Sequence, residues 1–312
     1  MKIVFLDTKT VGEVPNLDEL DALGDVSYYS TTTPEQTADR INEADIVITN
    51  KVVLDRNLIE GAKKLKLICV AATGMNNIDR EAAQEADIPV ENVGGYAAKS
   101  VAQSTFALIL HLVQDIVFYD EYVKSGVYSE SDIFTNLDRP FWEISGKRFG
   151  IIGLGSIGRQ VAQIAEAFGA EVVYYSTSGR NTDQPYKRVD LNELLDSSHI
   201  ISIHAPLNEN TAGLIGYEEM KKMKPSALLI NTGRGGIVDE KALASAIDQG
   251  LIAGAALDVF ETEPIEPDNP LLQVGKPDRL LLVPHITWSS IEARTELMDG
   301  VKKNIESFLR SI

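Results

Sequence analysis

Arg234 in "INTGRGGIVDE", Glu263 in "LDVFETEP" and His285 in "LVPHITW" each follow a short apolar run, and with Asp258 they supply a cation, two carboxylates and an imidazole. Such a set suits hydride transfer to a 2-oxo acid. That reaction needs a cation to hold the carboxylate and polarise the carbonyl, and an acid to protonate the oxygen as hydride arrives. Arg234 fits the first role, because a guanidinium binds a carboxylate through two parallel hydrogen bonds and stays charged at any working pH. His285 fits the second. A carboxylate beside an imidazole favours the protonated ring and fixes its orientation, the part expected of Glu263. Taken singly, each has a plain alternative: a surface ion pair, a turn before Pro264, a loop histidine.

A second constellation precedes these. "GIIGLGSIGRQ" places Gly153, Gly155 and Gly158 in the G-x-G-x-x-G spacing, with Ser156 and Ile157 between the last two, after a predicted strand and at the start of a helical pattern. In that context the first glycine makes the tight turn, the second lets the backbone approach a pyrophosphate, and the third lets helix and strand close together. Free amides and the positive end of the helix dipole then meet the phosphates.

Strand "EVVYYS" ends at Ser176, where an acid would normally accept the ribose hydroxyls. Here Ser176, Thr177 and Ser178 are followed by Gly179 and Arg180. Without an anion to repel a 2'-phosphate, and with hydroxyls and a planar cation to receive it, the loop favours NADP(H) over NAD(H). A polar loop that tolerates either cofactor is the alternative.

Positioning these residues requires parallel sheets, since ligands bind beyond the carboxyl ends of their strands. Short apolar runs alternate with helical patterns along almost the whole chain. The first series is "KIVFLD", "VSYYS", "DIVITN", "LKLICVAA" and "PVENV"; the second is "RFGIIGLG", "EVVYYS", "IISIHAP", "ALLINTG", "AGAALDVF" and "LLLVPHI". The expected fold class is therefore α/β, with two doubly wound parallel-sheet domains and a cleft between them: a flavodoxin-like substrate domain and a Rossmann dinucleotide-binding domain. The stretch "SVAQSTFALILHLVQDIVFYDEYVKSG" reads as one long helix joining them, ended by Gly126. "SIEARTELMDGVKKNIESFLRSI" reads as a terminal helix packed back on the first unit. The expected boundaries are 1–100 plus 288–312 for the substrate domain and 101–287 for the Rossmann domain.

With 312 residues, 44% hydrophobic and 24% charged, the composition is that of a soluble two-core protein. A net charge of -17 argues against a sequence-independent hold on nucleic acid or anionic membranes. The apolar core of "MKIVFLDTKT" is too short for a signal peptide, and no run approaches the roughly 20 residues of a membrane span. The lone Cys69 permits no intrachain disulfide and suits a reducing cytosol, so a cytoplasmic protein is expected. No metal is called for. Phe134, Phe141 and Trp142 lie outside any periodic element, so they either fold against the domain or, the favoured expectation, are buried by a second subunit in a homodimer. His111 and His199 match no catalytic pattern and read as structural.

The ordered set G-L-G-S-I-G, "HAPLNENT", "INTGRGGIVDE", "ALDVFETEP" and "PHITW" resembles the D-isomer specific 2-hydroxyacid dehydrogenases over nearly the whole chain. The resemblance implies that Arg234, Glu263 and His285 are the catalytic trio and that Asp258 binds the nicotinamide carboxamide. It also implies that Thr105, His204, Ala205, Pro206, Thr211, Thr232 and Gly233 border the cofactor, together with Arg234 and His285. "ATGMNNIDREAA" is similar to the family's substrate loop, pointing to the backbone amides of Thr73, Gly74 and Met75 beside Arg234 and His285. Closure of the two domains on cofactor would then exclude water from the reaction.

Within the family, "VGGYAAKSVAQ", "RPFW" and "PHITW" look most like glycerate dehydrogenases, equally called hydroxypyruvate or glyoxylate reductases. D-lactate-type or broader 2-oxo-acid reductases share the trio. Many phosphoglycerate dehydrogenases carry a long extra C-terminal region that is missing here, and related formate dehydrogenases carry Gln where this chain has Glu263. A reading from another class is a dinucleotide-sensing, corepressor-like interaction protein. The chain offers neither a basic segment nor a disordered tail for recruiting partners.

Overall fold

The first five apolar runs fold as parallel strands, and the three in the middle of the sheet are buried on both faces, which selects continuous β-branched and aliphatic stretches over alternating ones. In the computed structural model, which describes residues 1–180 and 183–312, two units are distinguished: Met1–Ala97 with Trp288–Ile312, and Ala98–Thr287.

The first unit contains β1 (Lys2–Phe5), β2 (Asp25–Tyr28), α1 (Pro34–Ile41), β3 (Ile46–Thr49), α2 (Arg56–Gly61), β4 (Leu67–Val70), α3 (Arg80–Glu85) and β5 (Val90–Asn92). Its sheet has the order β2-β1-β3-β4-β5, and every pairing is parallel. Cys69 is fully buried in β4, where loss of water pushes its thiol pKa up and leaves it an inert core residue.

The second unit contains α4 (Ala98–Gln114), α5 (Ile116–Lys124), β6 (Arg148–Ile152), α6 (Ser156–Ala167), β7 (Glu171–Tyr175), β8 (Lys187–Arg188), α7 (Leu191–Ser197), β9 (Ile200–Ile203), α8 (Tyr217–Lys222), β10 (Leu228–Asn231), α9 (Glu240–Gln249), β11 (Gly254–Leu257) and β12 (Leu280–Leu282). Its seven strands run β12-β11-β10-β9-β6-β7-β8, again all parallel. The order reverses between β6 and β9, the kind of switch point at which open α/β sheets bind ligands. The expected α/β class with two parallel sheets is what the chain adopts. Strand β8 escaped the sequence pattern because its two residues are exposed and basic.

The chain returns to the first unit through α10 (Ile291–Ser311), whose N-cap Ser290 accepts from the amide of Ala293 at 3.1 Å. Gly300 lets this helix approach closely, since a Cβ there would stand 2.5 Å from a methyl of Val93. Arg294 in the first turn donates to the carbonyls of Val11 at 2.8 Å and Glu13 at 3.1 Å, fastening the segment after β1.

One expectation is corrected. The helical stretch from Ser100 to Gly126 is two helices, α4 and α5, bent by 60° at Asp115, which adopts a left-handed backbone with φ 48°. The periodicity hid the break because apolar residues continue through it. The carboxylate of Asp115 is held by Arg139 at 2.5 Å, and that guanidinium stacks over the ring of Phe118, so distant contacts fix the bend. Among the described residues, no single helix is long and apolar enough to cross a membrane.

Candidate active site

The glycine-rich turn between β6 and α6 is built by close approach. Gly153 takes φ +91°, and a Cβ on it would lie 2.9 Å from the backbone of Ala205 at the end of β9. A Cβ on Gly158 would meet the carbonyl oxygen of Gly153 at 2.3 Å, whereas Gly155 faces open space. The N-cap of α6 is Gly155, which has no side chain with which to cap the helix. Ser156 is exposed and Ile157 half-buried at that end. These features fit a pyrophosphate: an open backbone at Gly155 and a twelve-residue helix beginning beside it.

The loop after β7 differs in detail from the sequence reading. Ser176 is buried, and its hydroxyl donates to the carbonyl of Arg180 at 2.6 Å, closing a turn in which Gly179 has φ +69°. The Ser176 proton is therefore committed inside the loop. Ser178 is exposed and accepts from the Arg180 amide at 3.2 Å, which leaves its own proton to donate outward. Thr177 is half-buried and Arg180 exposed.

Beyond β9 and β10 a chain of polar side chains joins the elements. Thr105 on α4 donates to the carbonyl of Val101 at 2.8 Å and lies 3.4 Å from the Thr232 hydroxyl. Thr232 in turn lies 3.1 Å from Nδ1 of His204, whose Nε2 is 2.9 Å from Ser202 Oγ. Loss of water pushes the His204 pKa down to about 3, so the ring is neutral. With Thr105 donating to Val101, the chain is consistent with a proton on Nδ1 of His204 and a Ser202 hydroxyl donating to Nε2. Ala205 is buried and Pro206 exposed. Thr211 is fully buried, donates to the Pro206 carbonyl at 2.7 Å and accepts from the Asn208 amide at 2.8 Å. It shapes this loop from within.

The turn after β10 carries Arg234, which is half-buried. Buried Asn231 braces it from both sides, accepting from the Gly233 amide at 3.1 Å and donating to the Arg234 carbonyl at 2.9 Å. Gly233 passes so close to Ala205 that a Cβ would sit 2.9 Å from that carbonyl oxygen. Asn231 was missed in the sequence because it reads as the last residue of a strand. An amide side chain before a glycine turn is the signal that would have found it.

The trio's acid and imidazole meet. Nδ1 of His285 lies 2.7 Å from Oε2 of Glu263, whose Oε1 accepts from the amide of Phe260 at 3.1 Å. His285 has φ +51°, a left-handed conformation that costs a non-glycine residue about 1–2 kcal/mol and persists only where the surroundings enforce it. Asp258 does the enforcing. Its carboxylate accepts from the amides of Ile286 at 2.7 Å and Thr287 at 3.2 Å, and also from the Thr287 hydroxyl. Burial raises the Asp258 pKa, opposed by the Thr287 hydroxyl, the Ile286 amide and the charge of His285. The Thr287 carbonyl accepts from Ser100 on α4 at 2.7 Å, so the segment after β12 is gripped on both sides.

In the first unit, Thr73, Gly74 and Met75 lie in the loop after β4. The Thr73 hydroxyl donates to the Val93 carbonyl at 3.2 Å, and its own carbonyl accepts from Asn92 at 2.6 Å. His199 stands at the opposite end of β9 from His204, where its Nδ1 accepts from the Arg148 amide at 3.3 Å. Dehydration lowers its pKa, with help from Lys224, Lys147 and Arg148.

Residues 106–287 match the family described as D-isomer specific 2-hydroxyacid dehydrogenase, NAD binding domain. The chain is 38% identical to a glycerate dehydrogenase of Methylorubrum extorquens, an alignment covering 99% of this chain and 96% of the other. It is 37% identical to a hydroxypyruvate reductase of Blautia hydrogenotrophica, over 99% of this chain and 97% of the other. Among solved structures, an acyclic imino acid reductase in complex with NADPH and D-Arg aligns with TM-score 0.88 and 32% identity, over 100% of this chain and 98% of that one.

Proposed function

The chain belongs to the D-isomer specific 2-hydroxyacid dehydrogenases, and from that membership we propose that it reduces a small 2-oxo acid, hydroxypyruvate or glyoxylate, to the D-2-hydroxy acid. The observation that carries the proposal is the 2.7 Å pair of His285 and Glu263, on a histidine held at φ +51°. When bound, a reduced nicotinamide dinucleotide supplies the hydride. Gly153, Gly155, Ser156, Ile157 and Gly158 would hold its pyrophosphate. Thr105, His204, Thr232 and Asp258 are assigned to its nicotinamide end.

Arg234 binds the substrate carboxylate and polarises the carbonyl. In the first unit, the backbone amides of Thr73, Gly74 and Met75 are further candidates for that carboxylate. Because Glu263 engages Nδ1, Nε2 of His285 is the nitrogen that gives its proton to the carbonyl oxygen. The oxo acid gains that hydride and the His285 proton, which together balance its reduction to the hydroxy acid. In the reverse direction His285 accepts the proton.

We assign NADPH as the preferred cofactor. Ser178 and Arg180, with Thr177, offer donors and a cation to a 2'-phosphate, and no acid stands at the end of β7. The acyclic imino acid reductase, similar over the whole chain, was solved with NADPH. A second copy of the chain is proposed to cover the exposed apolar residues of segment 127–141, where Phe134 is 90% exposed, Leu137 76% and Phe141 60%. Sedimentation of the wild-type protein against Phe134→Asp tests this: a monomeric wild type overturns it.

The activity is tested by following oxidation of NADH and NADPH with glyoxylate, hydroxypyruvate, pyruvate and a branched 2-oxo acid. The expected result is fastest turnover of hydroxypyruvate or glyoxylate with NADPH. His285→Ala should lower kcat at least about a hundredfold while cofactor affinity stays nearly unchanged. A fully active His285→Ala enzyme ends this mechanism. Preference for pyruvate moves the substrate assignment to the D-lactate type, and strong preference for NADH overturns the reading of the loop after β7.

A further inference from the structure

We propose that Glu240 is a positioning residue for Glu263, and through it for His285, which rests on the reading of that pair as the proton-donating group. Glu240 opens α9 but does not cap it, because Asp239 already accepts from the Ala242 amide at 2.8 Å. It is 6% exposed, where a carboxylate is retained only with partners on both oxygens. Both partners lie beyond the helix. Oε1 accepts from the amide of Glu261 at 2.7 Å, and Oε2 accepts from Nδ2 of Asn269 at 2.5 Å.

Asn269 has no freedom to turn its amide around. Its Oδ1 accepts from the Leu271 amide at 3.0 Å, capping the turn Pro270–Gln273, so its nitrogen must face Glu240. The loop from Val259 to Glu263 is thus fastened at Glu261. It is also pressed against the Arg234-bearing turn, for a Cβ on Gly235 would stand 1.8 Å from the Phe260 carbonyl oxygen. Phe260 is the residue whose amide holds Oε1 of Glu263. One carboxylate on α9 therefore fixes the backbone from which Glu263 reaches His285. Its charged neighbours are Asp239 and Glu261, and dehydration, followed by the charges of Glu240 and Asp239, raises the Glu261 pKa.

Glu240→Gln keeps the shape and the bond to Glu261 but sets a nitrogen against Nδ2 of Asn269. It should lower kcat for 2-oxo acid reduction about ten- to a hundredfold, with the dissociation constant for NADPH, or for NADH if that is the cofactor, within about twofold. Asn269→Asp alone, opposing two carboxylates, should be at least as damaging. The double variant Glu240→Gln, Asn269→Asp restores a donor against an acceptor, still receives the Leu271 amide, and should recover most of the lost kcat. In a Glu263→Gln background, Glu240→Gln should add little. Wild-type kcat in Glu240→Gln, no recovery in the double variant, or full additivity with Glu263→Gln overturns the proposal. A fully active Glu263→Gln enzyme instead refutes the reading of the pair on which it rests.

Discussion

Asp7, just after β1, and Asp258, just after β11, are buried carboxylates that do the same job in the two units with different consequences. Asp7 is 3% exposed and gathers the amides of Asn50 at 2.9 Å, Lys51 at 2.6 Å and Val52 at 3.3 Å. Asp258 is 1% exposed and gathers those of Ile286 and Thr287 together with a hydroxyl. In both, burial raises the pKa against the pull of the donors. The difference is the neighbour. Asp7 meets main chain beside Lys51, whereas Asp258 sits in the field of an imidazole held in a left-handed turn. One device of loop capture therefore serves shape in the first unit and the placement of an imidazole in the second.

The largest expected effect is on the Asp258 side. Asp258→Ala leaves the Ile286 and Thr287 amides without their acceptor and His285 without support for φ +51°, so kcat should fall about a hundredfold in steady-state reduction assays. A kcat within twofold of wild type would mean that other contacts hold His285. Asp7→Ala should separate the two sites. The buried amide of Asn50 and the part-buried amides of Lys51 and Val52 lose this acceptor, at a cost of about 2–4 kcal/mol in urea unfolding, while kcat changes far less than in Asp258→Ala. Equal losses of kcat in both variants would erase the contrast.

A smaller effect comes from His204, a half-buried base with the opposite sign of pH dependence. Its pKa is pushed from 6.5 down to about 3, so the unfolded chain takes up the proton first. Its share of stability is full above pH 6.5 and is lost as the pH falls toward 3. The slope is at most about 1.4 kcal/mol per pH unit for one group. The carboxyls of Asp7 and Asp258, with raised pKa values, run the other way: their share is full in acid and fades as the pH rises through those values. Comparing unfolding midpoints at neutral pH and near pH 5, His204→Gln should flatten the dependence. An unchanged slope would place the titration elsewhere.

Most of the architecture was legible because burial on both faces of a parallel strand leaves an unmistakable apolar run, as in "DIVITN" and "IISIHAP". Strand β8 and the bend at Asp115 were not, since one is short and polar and the other is fixed by Arg139, far along the chain. At the candidate site, residue types placed Arg234, Glu263 and His285 together as a chemical set. Asn231, Glu240 and Thr287 stayed hidden, because a polar side chain at or after a strand end or at a helix start looks the same whether it faces water or braces a turn.

By itself, then, the sequence determined the parallel α/β class, the glycine turn beneath α6 and the kinds of groups available for chemistry. These follow from local rules: strand burial, backbone freedom at Gly153 and Gly158, and the chemistry of each side chain. The tertiary structure decided which hydrogen bonds those groups make. It committed the Ser176 proton to the Arg180 carbonyl, set a neutral His204 between two hydroxyls, and brought Glu263 to His285 through a loop fastened by Glu240. The pairings of Thr232 with His204, Glu263 with His285 and Glu240 with Glu261 join residues more than twenty positions apart, and a hydrogen bond is satisfied by position and direction, which only the folded chain supplies.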